Sequence, residues 1–407
     1  MVTSVYPRFA GDATPPFIEH LAKALAESGH EVRVLAPHGK GAAFREKWTP
    51  SQGEGHLRIC RFPYAFPWGL QKLCYEGGML VNLKTRPWTK VLLPFFFLAQ
   101  SFFVAWHWLF FRPHIVHSQS LLPQGLTVAL ANLLIRGNHV TTSHGNDVFG
   151  LRPDGFAGRA KRWVLRRAKI VTVNSRATAQ AVRELGCPEG KIRLIPAMPN
   201  AVDHHPEVAQ KIREEVVRER GPVVNFTGRI IEDKGVGDLL DAMAVLQKEF
   251  PDILLLLVGD GQDRERFQKQ ARELGLAKNC HWAGWVPSAE VGTWMATADV
   301  VVVPSRENPG GWKEAQGLVV VEAMTVARPV VATNTGGIPD MVEDGETGKL
   351  VSPSLPEALA EALGSLLRSP DTAREMGKKG QLKAKRIFSQ EAVRDATVKM
   401  YQELGGK

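Results

Sequence analysis

The chain has 407 residues, 44% hydrophobic and 23% charged, with a net charge of +9 and an isoelectric point near 9.4. That length exceeds one ordinary core and predicts two domains, and the composition excludes a disordered or fibrous chain. The positive charge calls for an anionic partner: nucleic acid, a membrane surface or a nucleotide. The lack of zinc spacings, basic–aromatic repeats and low-complexity arms argues against the first.

Val2–Val5 reads as a first strand, unusually short for a central one, which fits either a cut start or an economical one. The loop Tyr6–Asp12 follows, and Gly11 within it reads on its own as a turn glycine. Phe17, Leu21, Ala24 and Leu25 then recur at helical spacing, Gly29 ends that helix, and Glu31–Ala36 is the second strand. Strand, loop, helix and strand make a right-handed doubly wound opening.

Val91–Phe111 carries no formal charge and is rich in Phe and Trp. Three readings stay open: a membrane span, a buried core helix, or an interfacial helix dipping into one leaflet. Pro94, Gln100 and His107 interrupt a span, which would also fall inside the first domain. Trp88, Trp106 and Trp108, with Lys90 and Arg112 at the ends, suit an interface. Arg159, Lys161, Arg162, Arg166, Arg167 and Lys169 form a basic cluster that fits a solvated helix face or a surface for anionic lipid.

Ile115–Ser118 and Thr141–His144 read as strand ends on either side of a helix at Gly125–Leu134. His144 stands at a carboxyl end, where open α/β sheets collect ligands. Ile170–Ser175 and Lys191–Pro196 finish the first sheet, and the charged stretch His204–Gly221 leads into the second domain.

Val223–Arg229 opens that domain. Gly228 lets the backbone turn, and Arg229 and Lys234 set two cations beside whatever lies above the loop, Arg as a fork and Lys as a point charge. Surface cations before a helix are the plainer alternative. Leu254–Val258 is a buried strand with a turn at Gly259 and Gly261, but Arg264 stands where a dinucleotide fingerprint needs its third glycine. Backbone groups at Trp285 and Val286, after the next strand, suit a base edge.

Asp299–Val303 is a buried parallel strand, Asn308, Pro309, Gly310 and Gly311 a loop, and a helix starts near Gln316–Gly317 and runs to Met324. The first backbone N–H groups at that helix start, around Gln316, Gly317, Leu318 and Val319, have no intrahelical partner and make an anion site. Glu314 precedes that helix and Glu322 lies about one turn inside it. One carboxylate then stands at the mouth of a phosphate pocket and the other deeper, which suits a ligand with a sugar, a diphosphate and a ribose. Pro329–Thr333 is a late strand, Thr335–Pro339 a glycine turn, and Ser389–Leu404 the last helix. Cys60, Cys74, Cys187 and Cys280 form no C-x-x-C and read as reduced thiols of a cytosolic protein. No signal peptide, solenoid repeat or metal-ligand cluster is read.

Glu314 and Glu322, with seven residues between them behind a buried strand, resemble the signature of the family 4 retaining glycosyltransferases. His144-Gly145-Asn146-Asp147, Pro199-Asn200-Ala201-Val202-Asp203 and the run from Gly228-Arg229 to Lys234-Gly235 extend that resemblance over nearly the whole chain, with Ala201 where the family linker has glycine. The resemblance implies the GT-B fold: two facing doubly wound Rossmann-like α/β domains with a cleft between them. Residues 1–200 would bind the acceptor, 201–385 the nucleotide sugar, and the C-terminal helix in 386–407 would pack back on the first domain. It implies that Gly11 admits substrate and His144 contacts the donor sugar. Gly228, Arg229 and Lys234 would hold the diphosphate, and Gly259 would border the nucleotide. Glu314 would act on the transferred sugar and Glu322 hold the ribose. No metal or cofactor is implied, because Arg229, Lys234 and the helix start can neutralise the leaving diphosphate.

The activity expected is hexosyl transfer, from a UDP-sugar in preference to GDP-mannose, to a saccharide acceptor carried on a lipid at the inner membrane face. A dinucleotide oxidoreductase and a non-catalytic sugar-nucleotide binder are the competing classes. Nicotinamide absorbance would mark the first, and absence of donor hydrolysis the second.

Overall fold

Aliphatic runs covered on both faces become the central strands of each sheet. The computed structural model describes residues 1–12, 14–51, 55–150, 154–200, 202, 205–218, 221–308 and 310–405. They divide into two units, Met1–Met198 with Gln390–Lys407, and Pro199–Ser389.

The first unit holds β1 (Glu31–Pro37), β2 (Arg45–Trp48), β3 (His56–Phe62), β4 (Ile115–Ser118), β5 (Asn138–Ser143), β6 (Ile170–Val173) and β7 (Ile192–Leu194). β1 pairs with β3 in parallel, β2 lies antiparallel on β3, and β4 to β7 run parallel in order. The expected strand Val2–Val5 shrinks to one bridge. Val2 pairs with Leu35 of β1 and with Ser118 of β4, and so joins the two halves. The Thr3 hydroxyl then donates to Val5 O and accepts from Val5 N–H, which turns the chain out of the sheet.

β2 and β3 were not expected from sequence. Their Arg, Lys, Glu and His residues hide a one-sided alternation in which Leu57 and Ile59 are buried while His56 and Arg58 are exposed. The last strand, β7, is shorter than expected. The C-terminal helix Gln390–Gln402 packs on the helix Phe17–Glu27, and the Tyr401 hydroxyl is 2.7 Å from His117 Nδ1.

The apolar helix is Leu92–Phe111. Leu92, Phe96, Gln100, Val104 and Trp108, one residue in four, are buried against the unit and the neighbouring helix Leu126–Ile135. Leu98, Phe102 and Phe110 are 67%, 60% and 69% exposed. A buried core helix therefore describes only one stripe of it, and a large aromatic surface lies outside. In the helix Gly155–Arg167, Lys161 is fully buried and donates to Asp147 O at 3.1 Å, so it leaves the basic surface cluster. It fills the space under the loop it supports.

The second unit holds β8 (Val223–Thr227), β9 (Leu254–Val258), β10 (Cys280–Gly284), β11 (Val300–Val303), β12 (Val330–Thr333) and β13 (Gly348–Val351). All are parallel, in the order β10-β9-β8-β11-β12-β13. The chain therefore reverses its direction of travel across the sheet between β8 and β11, where ligands of doubly wound folds bind. Leu254–Leu257 and Val300–Val302 are buried, at about 1.5–3 kcal/mol for each fully buried aliphatic side chain. The charged stretch before β8 contains an unexpected helix, Pro206–Ile212, which buries Ala209 and Ile212. Ala201 and Asp203 of the linker motif, and Pro309, lie outside the described residues.

Candidate functional site

The loops leaving β8 and β11 meet at the carboxyl edge of the second sheet. Gly228 ends β8 with φ +155°, and the turn Glu232–Lys234 closes at Gly235 with φ +71°. A Cβ on Gly235 would lie 1.8 Å from Pro304 O, just after β11, and Arg306 N–H donates to Asp233 O at 2.9 Å. This contact brings Lys234 onto Glu314: the ammonium and the carboxylate form a close hydrogen-bonded ion pair. The Ser305 hydroxyl adds a contact to the same carboxylate at 3.4 Å, and the Trp312 ring lies 5.5 Å from the ammonium.

Burial pushes the Glu314 carboxyl up, but the charge and hydrogen bond of Lys234 and the charge of Arg229 outweigh it and hold the group below its ordinary range. Arg229 is thus electrostatically in the same cluster. Gly317, φ +87°, is the N-cap of the helix Leu318–Thr325 and packs on the Glu314 side chain. Leu318 and Val319 are the first two residues of that helix, so their N–H groups have no intrahelical acceptor. Gln316 is buried just before them. Lys234 and a helix start therefore meet at the Glu314 carboxylate, which the charge of Arg229 also reaches. A diphosphate has the charge to take its place.

Glu322 is buried one turn into the helix and accepts from Asn200 Nδ2 at 2.6 Å. Burial holds its carboxyl above the ordinary range, against that hydrogen bond. Sequence reasoning read Asn200 only as part of a linker. No spacing pattern links positions 122 residues apart. Gly259, φ +132°, follows β9 against Gly228, whose O would lie 2.0 Å from a Cβ there. Trp285 is 61% exposed, with Val286 half-buried beside it.

Gly235 and Gly11 separate two reasons for a glycine. Gly11 has φ +82° and open space around its Cβ position. Gly11→Asn should therefore leave the unfolding midpoint nearly unchanged, because Asn tolerates the left-handed region. Gly235→Asn meets the Pro304 carbonyl. It is expected to cost about 2–4 kcal/mol in urea unfolding and to weaken nucleotide affinity.

In the first unit, His144 is half-buried after β5. Its Nε2 lies 3.1 Å from Gln119 Oε1, and Phe17 packs edge-on at 5.0 Å. Burial lowers its pKa to about 4, so the imidazole is neutral at pH 7. Asp147, the last residue of the H-G-N-D run, is buried and accepts from Leu121 N–H at 2.8 Å and Ser143 Oγ at 2.7 Å. It braces the loop that carries His144. His144 and Gly11 belong to the first unit, and Arg229, Lys234, Gly259, Trp285, Glu314 and Glu322 to the second.

The Glycosyltransferase Family 4 model matches residues 17–205, and the Glycosyl transferases group 1 model matches 208–383. A GDP-mannose-dependent alpha-(1-6)-phosphatidylinositol monomannoside mannosyltransferase of Mycolicibacterium smegmatis is 32% identical over 249 residues, 60% of this chain and 64% of that one. The match thus spans just under two thirds of that relative's length. Sucrose-phosphate synthase of Thermosynechococcus elongatus superposes with a TM-score of 0.79 at 24% identity, covering 99% of this chain and 98% of that one. Anabaena HepE, solved in complex with UDP, superposes with a TM-score of 0.72 at 19% identity, with coverage of 99% and 98%. The fold is therefore the GT-B fold. With both halves of the sequence matched by models of one enzyme class and the cation–carboxylate cluster lying in the second, the chain belongs to the GT4-type glycosyltransferases.

Proposed function

We propose that this protein is a retaining hexosyltransferase that takes its sugar from a UDP-sugar and passes it to a saccharide acceptor carried on a lipid. The observation that carries the reading is the pairing of Lys234 with the Glu314 carboxylate beside the helix start at Gly317, within reach of the Arg229 charge. A donor diphosphate bound there meets two positive charges and unpaired N–H groups, which stabilise charge as the sugar leaves. Lys234, released from Glu314, would turn to the phosphates. Glu314 would then be free to accept from sugar hydroxyls or to face positive charge growing at the anomeric carbon. Glu322, buried and held by Asn200, suits a ribose hydroxyl. The neutral His144 suits a hydrogen bond to the sugar, through its ring or its backbone, and not an ion pair.

HepE, a structural neighbour bound to UDP, supports the UDP choice. The M. smegmatis relative, which uses GDP-mannose, supports a second reading with the same chemistry and a larger base. Free UDP is expected to raise the unfolding midpoint most among UDP, GDP, ADP and NAD at about 1 mM, since a ligand that binds only the fold stabilises it by mass action. A larger shift with GDP would move the donor to GDP-mannose, and a response to NAD alone would end the transferase reading. The exposed aromatic helix Leu92–Phe111 supports a lipid-linked acceptor and a peripheral position on the cytoplasmic membrane face.

A further inference from the structure

β4 and β5 are neighbours in the first unit, with Ser118 opposite Thr141. Gln119 and His144 follow the carboxyl ends of these two strands, the edge at which a doubly wound sheet gathers its ligands. Gln119 is 5% exposed. Its Oε1 lies 3.1 Å from His144 Nε2, while its Nε2 has no hydrogen-bond partner. The bond to His144 is thus the only one this side chain makes among the described residues. Burying an amide with its N–H groups unmet costs stability, so Gln119 is a poor choice for the core alone.

A carbonyl oxygen only accepts, so His144 Nε2 carries the ring proton and Nδ1 keeps its lone pair. Nδ1 makes no hydrogen bond among the described residues. The ring is held in place by Phe17, which packs edge-on, and the backbone by Asn174 Nδ2, which donates to His144 O at 3.4 Å. An amide at this position also differs from a carboxylate. It fixes the proton without favouring a second one, whereas a carboxylate would stabilise the imidazolium. The neighbouring titratable groups add no such charge. His117, on β4, is buried and held well below its ordinary pKa, and Asp147, on the His144 loop, turns inward to Leu121 and Ser143.

We infer that Gln119 is a positioning residue: it holds His144 as the Nε2–H tautomer, so that Nδ1 accepts a hydrogen bond from a hydroxyl of the bound sugar. The inference rests on the sugar contact proposed above for His144.

The test uses the full chain and whichever of UDP-glucose and GDP-mannose the wild type turns over. Long-range proton–nitrogen NMR spectra, with the ring assigned by its loss in His144→Asn, are expected to show Nε2 protonated and Nδ1 bare at pH 7. Gln119→Met removes the acceptor. It is expected to move the ring proton to Nδ1 and to lower kcat about tenfold at every pH, the worth of one hydrogen bond. Its unfolding midpoint should not fall, because no unmet amide is left. Gln119→Glu keeps an acceptor but adds charge, which raises the His144 pKa. Its turnover is expected to be depressed at pH 6 and to return toward the wild-type rate at pH 9, where the imidazole is neutral and the carboxylate still accepts from Nε2. A role in packing alone would lower the midpoint and leave the pH profile unmoved. A wild-type ring protonated at Nδ1, a Gln119→Met variant with wild-type turnover, or a Gln119→Glu loss that does not vary with pH would each overturn the inference. If the wild type turns over neither donor, the sugar contact falls with the function proposed above, and the ring spectrum still decides the tautomer.

Discussion

Lys234→Met is expected to lower kcat/KM for the nucleotide sugar by about 10²- to 10³-fold, the loss that follows removal of one group stabilising developing charge. It is also expected to change how stability depends on pH. In the native protein, burial raises the Glu314 pKa while Lys234 and Arg229 lower it further, and the net shift is downward. A carboxyl with a depressed folded pKa contributes stability that is present above its unfolded pKa, near 4.5, and is lost as pH falls through the folded value. Without Lys234 the burial penalty is less opposed, and the neutral acid gains. An ionised, poorly paired carboxylate then costs stability as pH rises above about 4.5. The midpoint deficit of Lys234→Met relative to wild type should therefore grow between about pH 4 and pH 7. Adding Glu314→Gln should shrink the deficit without restoring transfer, because the buried charge is gone but so are the groups proposed to act on the donor. A deficit that stays constant with pH would break the pairing on which the site rests.

How much of this the sequence carried depends on how local each signal is. The run Val300–Val303, the glycine turns and the pair Glu314 and Glu322 lie within one strand–loop–helix unit, where spacing alone sets geometry. The half-buried Glu314 pairs with Lys234 and the buried Glu322 with Asn200, so neither lies on a solvated helix face. Non-local features left little trace. The closeness of Gly235 to Pro304 joins two loops of the switch point, and the spacing between them is free to vary. β3 alternates as a one-sided strand should, but Arg58 and Arg61 masked it, and Arg61 is buried by pairing with Glu46 from β2. Lys161 reads as one more surface cation until the loop carbonyl above it is known. Asp147 shows the same limit in a motif: the pattern points at the pocket, yet its carboxylate faces inward to hold Leu121.

Full-length protein is expected to float with vesicles of anionic lipid, and the triple variant Leu98→Gln, Phe102→Gln, Trp106→Gln to stay at the bottom of the gradient. From Gly77 to Asn146 the chain has no Asp or Glu, but it carries Lys84, Arg86, Lys90, Arg112 and Arg136. The same stretch exposes Trp88, Val91, Phe95, Leu98, Phe102, Trp106, Leu109 and Phe110, and Leu134 is 88% exposed at the end of the neighbouring helix. Arg86 is paired with Glu76 at 2.9 Å; the apolar surface and the remaining cations match an interfacial layer of acyl chains under anionic headgroups. The three side chains together contribute on the order of 3 kcal/mol or more on insertion. Their loss should weaken partitioning by at least about 100-fold, while each nearby cation adds about 1 kcal/mol that salt removes. The variant should keep its unfolding midpoint, because these side chains touch water. Phe96→Ala, on the buried stripe, should instead cost about 3–5 kcal/mol of stability. If the triple variant floats as well as wild type, or if wild type ignores anionic vesicles, the aromatic face does not meet lipid. A wild-type dimer that the triple variant dissolves, with no flotation by either, would give that face to a second copy of the chain. The length and composition that would let Leu92–Phe111 cross a bilayer do not decide the matter; the buried stripe does, because Phe96, Val104 and Trp108 are already committed to the core beside β1, β3 and β4.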